Sequence, residues 1–90
     1  MISLRNIVLT SLIRYYLQNY LKDAKVYALI PEAIEEDSIT FSFDSEGVNY
    51  DTLKYLLDPS EEEASDRFMI EGHWFRVELI EEGKLRVTNA

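Results

Sequence analysis

The chain has 90 residues, of which 47% are hydrophobic and 12% aromatic, and this composition is typical of one small globular domain. Because it has no cysteine, disulfides and thiolate metal sites are excluded, and no apolar run reaches the ~18 residues that a membrane span needs. The net charge of -8 disfavours direct binding to nucleic acid or to an anionic membrane surface.

A long helix is predicted first, over residues 3–22. No glycine or proline interrupts this segment, Ser3 is a residue type that caps helices, and Ile2 and Ile7 have the spacing of a hydrophobic staple. One broad face of this helix would carry Val8, Leu9, Leu12, Ile13, Tyr15, Tyr16 and Tyr20. A second stripe, on the other side, would carry Ile7, Arg14, Leu17 and Leu21.

The second stripe has two explanations, and both remain open at this point. Either the small domain wraps both sides of the helix, or another chain covers the stripe and makes it a homodimer or partner surface. The opening residues of the chain lack the small-residue cleavage site of a signal peptide, so we expect them to belong to the fold.

Two strands are predicted between residues 25 and 44. The segment "KVYALI" (25–30) has apolar residues at both parities, which is typical of a strand covered on both faces, and Pro31 would end it. The segment "SITFSFD" (38–44) alternates between apolar and polar residues, with Ile39, Phe41 and Phe43 pointing inward. We expect the polar segment between the two strands to be a connection.

A second, shorter helix is predicted from Tyr50 to Leu57. Asn49 is a good N-cap for it, and Val48 and Leu53 repeat the staple spacing. The next segment, "DPSEEEASDRF" (58–68), is rich in acids and poor in apolar residues. We therefore expect it to be an exposed, mobile loop, which begins where Asp58 and Pro59 end the helix.

The last third of the chain is predicted to form three antiparallel strands, "RFMI", "HWFRVELI" and "KLRVT". A turn at residues 81–83 would place Leu79 opposite Leu85 on one face of the sheet. On the other face it would place Glu78 opposite Arg86, a favourable cross-strand pair. This agreement between the two faces supports the hairpin.

The turn at residues 71–72 would set Arg67 opposite Arg76, which is a less favourable pair. The predicted order is helix, strand, strand, helix and three strands. This order indicates an α+β fold of one domain, residues 1–90, in which an antiparallel sheet is packed against the long N-terminal helix.

No catalytic, cofactor or metal site is predicted. His73 is the only histidine, and at a strand end such a residue more often hydrogen-bonds to backbone or water than acts as a base. The three glycines are scattered, so no phosphate-binding loop exists, and "EEEASD" lacks the glycine of an EF-hand loop. We therefore do not expect an enzyme.

The charge is unevenly distributed along the chain. Residues 1–30 hold four basic residues against one acid, and residues 31–90 hold five against sixteen. An acidic domain is attracted to basic surfaces, which are commonest on nucleic-acid-binding proteins, although acidity can also serve solubility alone. Trp74 has the same outward parity as Arg76 and Glu78, so it is either covered by the second helix or presented to a partner.

These features favour a non-enzymatic binding domain that covers a basic surface of another protein, as inhibitors and immunity proteins of phages and mobile elements do. The predicted partner-binding residues are Glu61, Glu62, Glu63, Asp66, Glu71, Trp74 and Glu78. The alternative is a small assembly subunit, such as a virion or tail component, or a homodimer through the N-terminal helix. The lack of cysteine fits a reducing compartment, and we expect a cytoplasmic protein.

Overall fold

The computed structural model describes residues 1–90, and its helices and strands follow the predicted order. They are α1 (Ile7–Tyr20), β1 (Ile30–Ile34), β2 (Ser38–Ser42), α2 (Tyr50–Leu56), β3 (Arg67–Ile70), β4 (His73–Glu81) and β5 (Lys84–Asn89). The strands form one antiparallel sheet in the order β1-β2-β5-β4-β3. The predicted α+β class, with an antiparallel sheet against a long N-terminal helix, is confirmed.

Helix α1 begins after Asn6 and not after Ser3. The Asn6 side chain accepts a hydrogen bond from the Leu9 amide at 3.1 Å, as an N-cap does. The residues before Asn6 lie outside the helix because the Leu4 side chain is fully buried and its amide donates to the Glu36 carbonyl. A tertiary contact therefore overrides the local capping preference of Ser3, and the predicted start was wrong.

The predicted strand at residues 25–30 was also wrong. The chain turns at Lys25, which has a left-handed φ of 63°, and continues as an irregular segment that buries Val26 and Leu29. The Leu29 amide donates to the Gln18 side chain of α1 at 3.0 Å and not to a neighbouring strand. Apolar residues at both parities thus mark a buried connection here.

Strand β1 starts where the prediction placed a strand end, and Pro31 lies inside it. A proline is tolerated there because β1 is an edge strand, so one side of its backbone needs no hydrogen-bond donor. The pairing of β1 with β2 is irregular between Pro31 and Ala33. The segment predicted as a polar connection therefore supplies most of a strand and the turn after it.

The C-terminal hairpins have the predicted register. Strands β4 and β5 place Glu78 opposite Arg86, and strands β3 and β4 place Arg67 opposite Arg76. The register shifts by a bulge just after Leu79, next to the turn. Both predicted registers are confirmed, although the β4–β5 turn is shorter than the predicted 81–83, since Glu81 belongs to β4 and pairs with Lys84.

Helix α2 is held in place by its N-terminal residues. Asn49 caps it, as predicted, by accepting from the Thr52 amide at 3.1 Å. The Tyr50 hydroxyl lies 2.6 Å from the Ser45 hydroxyl and accepts from the Gly83 amide at 3.0 Å. One tyrosine thus joins α2 to the loop before it and to the β4–β5 turn.

The hydrophobic core lies between the two helices and one face of the sheet. Ile39, Phe41 and Phe43 point into it, as predicted from their alternation. The Tyr16 ring of α1 stacks on Phe68 of β3 with a centroid distance of 4.7 Å. Neither helix has the length and apolar character that a membrane crossing requires. The other face of the sheet is left without a covering layer, because both helices contribute to the same core.

Candidate interaction surfaces

The uncovered face of the sheet has an exposed apolar centre. Trp74 on β4 is 51% exposed, and Met69, its cross-strand partner on β3, is 50% exposed. Trp74 also lines a shallow depression together with Arg67 and Ala90. Trp74 is therefore not covered by the second helix, which contributes to the core on the opposite face.

Two arginines lie beside this centre, and a third lies farther along the sheet. Arg67 and Arg76 are directly opposite each other on β3 and β4, and Arg86 on β5 is opposite Glu78. Of the three arginines, Arg76 alone forms an ion pair, between its Nε and Asp66 Oδ2 at 3.2 Å. Like charges in direct cross-strand register are destabilising.

The predicted partner-binding acids do not gather around Trp74. The glutamates at 61–63 are exposed near one end of β3, and Glu71 lies in the turn at the other end. Between them come Arg67 and Arg76, which occupy the row next to the Trp74–Met69 pair. Arg67 and Arg76 therefore lie between Trp74 and the glutamates at 61–63, whereas Glu71 lies on the other side of Trp74.

The two remaining predicted acids both face arginines. Asp66 is largely shielded from solvent and is held by Arg76. Glu78 is exposed near the middle of the sheet face, opposite Arg86, although the two side chains form no ion pair. These acids moderate the positive charge of the face and do not add to an acidic patch.

The α2–β3 loop is exposed at its glutamates, as expected, but hydrogen bonds hold its ends. The Tyr20 hydroxyl donates to the Leu56 carbonyl at 2.6 Å and accepts from the Ser65 amide at 3.0 Å. At the start of the loop, the Ser60 amide and hydroxyl donate to Asp58 and lower the pKa of its carboxyl. The mobility of the segment between these anchors stays a prediction.

Other exposed acids lie in the turns at both ends of the sheet. Residues 35–37 carry three at one end, and residues 44–46 and 81–82 carry four at the other. Near the second group, the Lys84 Nζ lies 3.3 Å from Glu32 Oε1 and 3.4 Å from Glu81 Oε1. Hydrogen bonding to Glu32 is the largest cause of the raised pKa of Lys84. The negative charge is therefore spread around the rim of the sheet.

The predicted oligomer stripe on α1 is not an exposed surface. Leu17 and Leu21 are 0% exposed within a single chain, because this side of the helix faces the core. Ile7 and Arg14 are exposed, and both line a shallow groove between α1 and the edge strand β1. Of the two explanations of the stripe, the one in which the domain itself wraps the helix is correct for its leucines.

A different stripe on α1 is exposed. Val8 is 68% exposed and Tyr15 is 76% exposed, with the partly exposed Leu12 between them at helical spacing. These three residues form the margin of the broad apolar face that the sequence predicted, and the core reaches only the remaining part of that face. We call Val8, Leu12 and Tyr15 the outer helix stripe.

His73 lies exposed at the start of β4, beside a shallow depression that Glu71 and Val8 also line. No hydrogen bond to its ring is present, and no group of three or more metal-ligating side chains converges anywhere in the chain. The arginines beside Trp74 were missed by sequence reasoning. Two features of the sequence could have indicated a basic surface beside Trp74. Arg76 shares the outward parity of Trp74, and Arg67 was predicted to pair with Arg76.

Comparison of the chain with protein-family models, with curated proteins and with solved structures finds no match in any of the three. The chemistry of the exposed surfaces is therefore the basis for assigning a function.

Proposed function

We propose that this protein is a non-enzymatic binding domain that covers a basic, nucleic-acid-binding surface of another protein, as an inhibitor or immunity protein does. The observation that supports this best is the surplus of free carboxylate. Three of the seventeen acidic residues form ion pairs, which leaves fourteen without one. Such a surplus attracts a basic protein over about a Debye length, ~8 Å at physiological salt, and speeds the encounter.

The α2–β3 loop carries more acids than any other connection, five between residues 58 and 66. Its glutamates at 61–63 are consecutive, exposed and free of ion pairs. Its ends are fixed by the hydrogen bonds of Tyr20 to Leu56 and Ser65. A loop with fixed ends loses less conformational freedom on binding, so more of the charge attraction is retained as affinity.

The test compares two triple variants with the same loss of charge. One replaces Glu61, Glu62 and Glu63 by glutamine, and the other replaces the acids at 35–37 by their amides. Each protein is immobilised, and proteins from an extract of the encoding organism are captured at low salt and eluted with increasing salt.

We expect the unmodified domain to retain a basic nucleic-acid-binding protein that is released as salt rises, and to block its binding to nucleic acid. The loop variant loses this capture, whereas the 35–37 variant keeps most of it. Capture that is insensitive to salt, or that falls equally in both variants, contradicts the proposal.

A second candidate function is that of an assembly subunit, and the outer helix stripe favours it. Exposed apolar residues at i, i+4 and i+7 form the kind of stripe that helices use to contact one another. In this case the acids are incidental to the interface, and association is insensitive to salt.

Sedimentation over a range of protein concentrations tests the second candidate. We expect a dimer or higher assembly that Val8→Asp breaks and that Ile7→Asp leaves intact, since Ile7 is even more exposed but lies off the stripe. A chain that stays monomeric at every concentration refutes this candidate.

A further inference from the structure

The open face of the sheet carries basic residues, whereas the rim of the sheet is acidic. All four basic residues after residue 66 lie on its strands. Lys84 is neutralised by two glutamates, and Arg76 by one aspartate, but neither Arg67 nor Arg86 forms an ion pair. Arg67 lies directly opposite Arg76, so the register places two arginines next to each other on this face.

The arginines adjoin an apolar anchor. Trp74 and Met69 form one cross-strand pair on this face, and Arg67 and Arg76 form the next pair on the same face of the same two strands. The depression beside Trp74 is lined by Arg67 and by the last residue, Ala90. Tryptophan and arginine are the residue types that most often dominate protein interfaces, and here they are adjacent and exposed.

Charge complementarity indicates an anionic occupant. Two guanidinium groups side by side repel each other until an anion lies between them, and a guanidinium binds the two oxygens of a carboxylate or phosphate with matching geometry. Arg76 already bonds through its Nε to Asp66, which leaves the terminal nitrogens of its side chain available, and Glu78 lies two residues along β4 without an ion pair.

The occupant is more compatible with protein than with nucleic acid. A phosphate backbone that crossed this face would run past the glutamates at 61–63 near one end of β3 and past Glu71 at the other. A short protein segment can place one or two carboxylates between these acidic flanks and carries no continuous negative charge. It can also offer an apolar side chain to Trp74.

We propose that the open sheet face around Trp74 is a docking site for an acidic segment of another protein. A carboxylate of that segment lies between Arg67 and Arg76, and an apolar side chain covers Trp74 and Met69. This site is separate from the acidic loop of the proposed function and selects the opposite charge. The domain then has two surfaces, one for a basic partner and one for an acidic segment.

The test uses the emission of Trp74, which is the only tryptophan in the chain. The probes are three synthetic peptides of equal length, each with a central leucine, whose other residues are glutamate, serine or lysine. A single-stranded oligothymidylate is the fourth probe. The variants are Arg67→Gln and Arg76→Gln, and Arg5→Gln is the matched control, since Arg5 is exposed outside the sheet.

We expect the glutamate peptide to shift Trp74 emission to shorter wavelength and to bind at least about tenfold more tightly than the lysine peptide. Each sheet variant should weaken this binding by about tenfold, and Arg5→Gln should change it less than about twofold. Arg67 has no ion pair to lose and faces a like charge, so the melting temperature of its variant should be no lower than that of the parent, which is checked by circular dichroism.

Four outcomes overturn the proposal. The first is an unchanged emission with the glutamate peptide, and the second is equal weakening by Arg5→Gln, which would show a general charge effect. The third is tighter binding of the oligothymidylate, which would assign the face to nucleic acid. The fourth is a shift of emission with protein concentration alone, which would assign it to a second copy of the chain. None of these outcomes bears on the acidic loop, so the proposed function is tested separately.

Discussion

Replacing Gly83 by alanine should destabilise the fold more than replacing Gly72, although both glycines have nearly the same backbone conformation. Their φ values are +79° and +80°, a region that costs a residue with a β-carbon about 1–2 kcal/mol. The gain from a less flexible unfolded chain is the same for both substitutions, so it cancels in the comparison. The two sites differ in what the new methyl group meets.

At Gly83 the β-carbon would lie 3.1 Å from the Phe43 carbonyl oxygen and 3.1 Å from the Ser45 hydroxyl, whereas at Gly72 nothing lies within 4 Å. Relief of these contacts strains two hydrogen bonds, from the Gly83 amide to Tyr50 and from the Phe43 amide to the Gly83 carbonyl. Each is worth about 1 kcal/mol. We therefore expect Gly72→Ala to cost about 1–2 kcal/mol and Gly83→Ala about 2–4 kcal/mol.

Urea unfolding followed by circular dichroism measures both costs. In a chain of this length, 1 kcal/mol corresponds to about 4–8 °C in melting temperature, so calorimetry should resolve the two variants. Equal destabilisation of the two variants, within about 0.5 kcal/mol, would refute the role assigned to the contacts around the β4–β5 turn.

Three further predictions concern the helices. Leu17→Ala should lower the free energy of unfolding by about 2–5 kcal/mol, because Leu17 is buried, whereas Ile7→Ala should lower it by less than about 0.5 kcal/mol. Equal effects of the two substitutions in urea unfolding would place Leu17 outside the core. Tyr20→Phe should speed hydrogen exchange of the Ser65 amide, and an unchanged exchange rate would show that the Tyr20 hydroxyl does not hold the loop. Burial, with a smaller contribution from Tyr20, raises the pKa of Tyr16 above its ordinary value of 10.0, so the folded state favours the neutral phenol. The neutral phenol stabilises the folded state fully below pH 10.0, and this contribution is lost as the pH rises through the folded pKa of Tyr16. Urea unfolding across this pH range should show a smaller loss of stability in Tyr16→Phe than in the parent. An identical loss would contradict the burial of Tyr16 as the cause of its raised pKa.

The elements that the sequence predicted well are those fixed by contacts between close neighbours in the chain. The alternation in β2 and the turn residues of the last two hairpins set both face and register, because a slip of one residue would expose Phe75 and Val77. The cap of α2 is equally local, since the Asn49 side chain reaches the Thr52 amide in the first turn.

The elements that were wrong depend on contacts between distant parts of the chain. The start of α1 is set by the burial of Leu4 and by its bond to Glu36, which no local pattern shows. The irregular segment that buries Val26 and Leu29 has the composition of a strand but lies beside α1, where a side chain of the helix binds its backbone.

The exposure of residues at the candidate surfaces was predicted in part. The outward parity of Trp74 indicated its exposure correctly as one of two alternatives, but Arg67 and Arg76 lie between Trp74 and the glutamates expected beside it at 61–63. On α1, the helical periodicity predicted an apolar face that is wider than the part the core covers. Which side of the helix is buried depends on where the sheet lies against it, and for this reason Leu17 is buried and Val8 is exposed.

The most direct test of the proposal that the acidic loop binds a basic partner is the salt dependence of the affinity for the captured protein. We predict that the dissociation constant rises steeply as ionic strength increases, and that glutamine at positions 61–63 both weakens binding at low salt and flattens this dependence. An affinity that does not change between low and high salt, or an equally steep dependence in the glutamine variant, would contradict it.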